Sequence, residues 1–180
     1  MTRNQRLVYI ALLAAQAVII SVLERAIPSP FIFAPGAKLG LANIITCIAL
    51  FTLPLKDTVT IIIIRLILAT FLGGTISTFL YSASGSILSF IGMYFVHKLG
   101  PKRVSIIGIS TTGGVLHNLG QLIMASWITG TWLVLLYLPI LSFVGILSGI
   151  AVGVAANYLL PHLQSLHFFT QINPKDPLKN

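Results

Sequence analysis

Charge is the scarcest property of this sequence. Its 180 residues include three acids and eleven Lys and Arg, so charged side chains make up 8%, against about 25% in an ordinary soluble domain. So little polarity cannot cover a water-exposed surface, which excludes a soluble monomer. The three acids, Glu24, Asp57 and Asp176, stand far apart. No neighbouring carboxylates are therefore present to hold magnesium on a diphosphate. The single cysteine, Cys47, excludes a disulfide framework and a cysteine-rich zinc site. The sequence has no Walker loop, Gly-x-Ser-x-Gly elbow or His-Glu-x-x-His helix, which leaves it without the usual signatures of ATP hydrolysis and of two hydrolase classes. Together these absences predict a chain that is not an enzyme and that has no cofactor and no metal site.

Apolar residues make up 56% of the chain and the mean hydropathy is +0.98. A membrane-spanning helix needs about 20 mainly apolar residues. Six segments meet or approach that length: 7–23, 39–55, 58–73, 75–96, 104–128 and the long stretch 132–160. The third is short and interrupted by Arg65. In the sixth, Pro139 marks the start of the helix proper, because proline is tolerated in a first turn. Breaks are expected at Pro28 and Pro30, Lys56-Asp57, Gly73-Gly74, His97 to Arg103, and Thr129-Gly130. The fold expected is an all-α integral membrane protein, a six-transmembrane-helix bundle. Residues 1–160 form one membrane domain and 161–180 a polar cytoplasmic tail.

The distribution of cations gives an orientation. With the amino terminus inside, Arg3, Arg6, Lys56, Lys98, Lys102, Arg103, Lys175 and Lys179 fall on one side and only Arg25 and Lys38 on the other. This positive-inside bias predicts a multi-pass protein of the cell (cytoplasmic) membrane with both termini in the cytoplasm. Arg3 and Arg6 precede an apolar run long enough to remain as a span rather than a cleaved leader. The cations lie scattered over short loops, so the high pI predicts contact with anionic lipid headgroups and not with nucleic acid.

Small residues mark helix contacts, since helices in lipid associate by close packing and hydrogen bonding. Span 1 carries Ala11 and Ala15 on one ridge and Ala14, Ala17 and Ser21 on the next. Span 4 carries Ser82, Gly85, Ser86, Ser89 and Gly92 on one face, and span 6 carries Gly145, Gly149 and Gly153. Packing within the protein's own bundle explains all three, and docking onto another membrane protein is the alternative for span 1.

Polar groups inside the spans point to function. Arg65 lies near mid-membrane, where an arginine costs about 2.5–3.5 kcal/mol on insertion scales and needs a partner. No carboxylate occupies another span's centre; the candidates are Glu24, for which Arg25 competes, and an anionic ligand. Span 5 carries Ser110, Gly114, His117 and Gln121 along one face with Asn118 beside them. These side chains either bridge helices or, with Ser82 and Ser86, line a polar pocket floored by Arg65. The first connection holds Phe31, Phe33 and Pro35-Gly36, followed by Lys38 and Asn43. Here an apolar loop covers the pocket with Lys38 at its mouth, or a lysine merely snorkels at the interface.

The run Pro-Gly-Ala-Lys-Leu-Gly-Leu-Ala-Asn at 35–43, Arg65, the Ser82-x-x-Gly85 step and the Gly-Gly-Val-Leu-His-Asn-Leu-Gly-Gln stretch at 113–121 resemble the Gx transporter family. That family is often labelled heptaprenyl diphosphate synthase component I. The resemblance covers roughly residues 5 to 160 and extends to the substrate-binding S components of energy-coupling factor (ECF) transporters. It implies six helices, a first loop that lids an outward pocket, and an Ala-x-x-x-Ala face, here Ala11 and Ala15, that docks on a transmembrane coupling subunit tied to two cytoplasmic ATPases. The expected function is capture of a small anionic or polar-headed solute from outside. Arg65 balances charge, His117, Asn118, Gln121, Asn43, Ser82 and Ser86 orient polar atoms, and Lys38 closes the mouth. The alternative is a non-catalytic accessory subunit for isoprenoid-diphosphate or quinone biosynthesis.

Overall fold

The computed structural model describes residues 2–26 and 38–164, and within them every regular element is helical. Helix α1 (Arg3–Glu24) opens on a capping box in which Thr2 and Gln5 satisfy each other's backbone N–H groups. Helix α2 (Asn43–Thr52) is followed at once by α3 (Leu55–Phe71), and then come α4 (Ile76–His97) and α5 (Ile106–Thr129). A 3-10 segment, Trp132–Tyr137, leads into α6 (Leu138–Gln164). Pro139 sits in the first turn of α6, and that helix runs on through Pro161.

Two expected boundaries move. The chain breaks at Leu53-Pro54, not at Lys56-Asp57, because the extended Pro54 is the N-cap of α3 and places Asp57 in the first turn. A carboxylate is favourable there, opposite the positive end of the helix dipole. Helix α2 is only 10 residues, about 15 Å of rise, half the thickness of a hydrocarbon core. The preceding residues, expected to be part of its span, are instead held outside it by hydrogen bonds. Gly73, with φ +106°, and Gly130, with φ +70°, end α3 and α5 in left-handed backbone as their positions predict. Pro28, Pro30, Phe31, Phe33 and Pro35-Gly36 lie outside the described residues, as does the polar tail from residue 165.

Three stretches are long and apolar enough to cross a membrane: α1, α4, and the 3-10 segment with α6. Helix α5 has 24 residues, but its polar stripe dilutes its hydropathy. It is the centre of the bundle, packed along α4 on one side and α6 on the other. Glycine makes that closeness possible. A Cβ added to Gly114 would lie 2.2 Å from the carbonyl oxygen of Gly145, and one added to Gly149 or Gly153 would strike the α5 backbone. The span 6 glycines thus serve the protein's own bundle.

Helix α1 packs on α3 and α2. It buries Ala14, Ala17 and Ser21 while Ala11 and Ala15 face outward. Both ends of the α1–α3 pair are fastened. At one end Arg6 donates to Asp57 through Nε at 2.5 Å and Nη2 at 2.8 Å. At the other, Arg25 donates to the carbonyls of Ala69 and Leu72 where α3 finishes, a favourable place for a cation. An apolar groove of about 710 Å³ runs between α1, α2 and the end of α6, with Leu12, Ile19, Ile48 and Leu163 in its walls.

Candidate functional site

The pinned α1–α3 pair and the glycine-fused α4–α5–α6 unit meet around a polar cavity at the end of the bundle where α1 and α3 finish. Glu24, Arg25, Lys38, Arg65, Ser86 and His117 are among its walls. Its volume is about 20 Å³, room for about one water. The site is assembled but nearly filled.

Arg65 is 4% exposed and donates from Nη2 to the Ser86 hydroxyl, which in turn donates to the Ser82 carbonyl at 2.5 Å. Glu24, the candidate acid, does not neutralise it by contact, since the one ion pair among the described residues is Arg6 with Asp57. Glu24 is turned to the connection between α1 and α2: its Oε1 accepts from the backbone N–H of Gly40 at 2.5 Å and of Leu41 at 3.1 Å. Arg25 is held by the α3 carbonyls. Arg65 therefore keeps its charge toward the cavity with a hydroxyl as its hydrogen-bond partner.

Lys38 stands in the same connection, outside the helices. Burial lowers its ammonium from 10.5 to about 8, with Glu24 opposing that shift and Arg25 and Arg65 adding to it. Three cations thus surround one carboxylate in a mostly buried space, which is a field for an anion.

The span 5 stripe divides into different tasks. Gln121 is directed at the connection and not at the cavity: it accepts from the Lys38 N–H at 2.7 Å and donates to the Lys38 carbonyl at 2.8 Å. Asn118 donates to the Leu141 carbonyl of α6 at 2.7 Å, so it bridges helices. His117 lines the cavity, with the Nδ1 edge of its ring turned to the backbone of Gly85 on α4. Its ring lies so close to α4 that a Cβ on Gly85 would fall 2.9 Å from Nδ1, which explains the Ser-x-x-Gly step. Asn43 sits at the start of α2, buried behind Gly40.

The site residues thus fall into three groups. Lys38, Arg65, Ser82, Ser86 and His117 share the cavity; Asn43 adjoins it; Asn118 and Gln121 hold the scaffold. The loop-holding role of Glu24 was hidden in the sequence, where an acid at a helix end carries no sign of which N–H groups it will meet.

A charged cavity enclosed by apolar helices defines a helical membrane protein with a buried polar site. The chain belongs to the family described as heptaprenyl diphosphate synthase component I, whose model matches residues 13–159. No curated protein and no solved structure matches it significantly.

Proposed function

We propose that this chain is a solute-capturing membrane subunit, similar to the S components of ECF transporters, that binds a small anionic or polar-headed molecule from the extracytoplasmic side and has no catalytic activity. The observation that carries this reading is the cavity in which Arg25, Lys38 and Arg65 surround the single carboxylate of Glu24. A buried excess of positive charge is costly unless a counter-charge arrives. On this reading the helices form a six-span domain over 1–160 with both termini and the tail 161–180 in the cytoplasm, so that the cavity lies at the outer end. Solute entry requires the connection holding Lys38 to open. Release inward requires a transmembrane coupling subunit and two ATPases as separate chains, since this chain has no nucleotide-binding loop. Ala11 and Ala15 face outward on α1 and suit close helix docking.

Copurification tests the partnership. Tagged protein should bring down coupling and ATPase subunits, and Ala11→Leu with Ala15→Leu should abolish this while leaving the fold intact. A complex unaffected by the double variant sinks the docking face.

The family description favours a second reading, an accessory membrane subunit for prenyl diphosphate synthesis. Here the same cations would meet a diphosphate and the catalysis would reside in a partner. Synthase activity that appears only when this chain is added to a soluble partner supports that reading over transport.

A further inference from the structure

The walls of the cavity carry more positive charge and more hydrogen-bond donors than the chain itself matches. Arg25, Lys38 and Arg65 stand there against Glu24 alone. The α3 carbonyls that hold Arg25 orient its charge without cancelling it. With His117 neutral, two positive charges are left over. The side-chain donors lean the same way. Arg65 spends Nη2 on Ser86, and its Nε and Nη1 have no hydrogen-bond partner among the described residues. The ammonium of Lys38 and the hydroxyls of Ser21 and Ser82 are likewise unengaged there. All of these atoms stay accessible, whereas Nε of Arg25 is sealed off without a partner. The other hydroxyls of the wall, on Thr70, Thr78 and Ser86, are turned to carbonyls of α3 and α4. Against these donors Glu24 keeps only Oε2, because Oε1 already accepts from Gly40 and Leu41.

A buried surplus of cations and donors calls for an anion rich in acceptors, and the size of the surplus calls for two negative charges. The arrangement narrows the class further. All four charged residues share one cavity with room for about one water. Both negative charges must therefore arrive on one compact group, and not at the two ends of a longer dicarboxylate. A phosphate group on a single ester bond has that form: it carries about −1.5 to −2 at pH 7 and three strong acceptor oxygens.

Resting on the capture of an anion proposed above, we propose that the solute carries a phosphate dianion, met by Arg65 and Lys38 with Ser21 and Ser82 donating to its oxygens, once the connection holding Lys38 opens. Methyl phosphate and methyl sulfate test this in the full-length protein in lipid nanodiscs. The two share size and tetrahedral shape, but the sulfate holds a single charge. In titration calorimetry at about pH 7, methyl phosphate should bind about tenfold or more tightly, the scale of one added close charge pair. At about pH 5 the phosphate has taken up a proton and the sulfate has not, so the ratio should fall toward one. Titration of the groups in the wall, Glu24, Arg25, Lys38, Arg65 and His117, acts on both ligands and is removed by taking the ratio. Lys38→Met, which deletes one of the two surplus charges, should shrink the ratio at about pH 7 while the helical content stays unchanged. Inorganic phosphate, run alongside, tells the free ion from an ester: the tighter binder of the two names the source. Equal affinity for methyl phosphate and methyl sulfate, or a preference that neither acid nor Lys38→Met diminishes, overturns this inference and leaves anion capture standing. Failure of all three anions to bind overturns the two together.

Discussion

Lys38 is the cation of the site whose charge changes within an accessible pH range. Below about 8 it is an ammonium facing the cavity, and above that value it is neutral. Affinity for an anion should therefore fall as pH rises through about 8, and Lys38→Met should bind more weakly with that dependence removed, which titration calorimetry at several pH values checks. The linkage to folding runs the other way. Between about 8 and 10.5 the unfolded chain holds the proton that the folded chain has released, so the unliganded protein should gain stability with pH across that window.

At the scale of elements, α5 joins the two parts of the site. Gly114 on α5 meets the carbonyl oxygen of Gly145 so closely that a Cβ there would stand 2.2 Å away. Backbone cannot yield as a flexible side chain does, so Gly114→Ala should cost about 1–3 kcal/mol, seen as a lower unfolding midpoint in detergent. Ala15→Leu, on the outward ridge of α1, should leave that midpoint unchanged. Further along α5, Gln121 pairs with both backbone groups of Lys38 while Glu24 on α1 holds Gly40 and Leu41. The connection is thus clasped from both sides. Gln121→Leu should speed release of bound solute by about tenfold, given the loss of two partly buried hydrogen bonds, with the helical content unchanged; stopped-flow displacement reads the rate.

Over the whole molecule, the parts legible in the sequence were those governed by local chemistry. Glycine and proline located the ends of α3 and α5 and the first turn of α6, and small-residue spacing located the faces that fuse α4, α5 and α6. The start of α3 was misplaced because a lysine–aspartate pair looks like a turn, whereas Pro54 one turn earlier sets the cap. Long-range pairing was invisible. Gln121 bonds a residue 83 positions away, and nothing in the span 5 stripe separates that role from those of Asn118 and His117. The convergence of Arg65, Ser82, Ser86 and His117 followed from their similar depth in the spans, and that of Lys38 from its place at the mouth. The shortness of α2 did not, because it depends on Glu24 and Gln121 holding the preceding chain outside the helix. On the capture reading proposed above, the buried positive charge of Arg65 is there to meet an anion. Mass spectrometry of small molecules released from the purified protein tests it most directly. An anionic metabolite should be released by wild type and be absent from an equally folded Arg65→Gln variant. The same metabolite retained by both, or no anion from either, would contradict it.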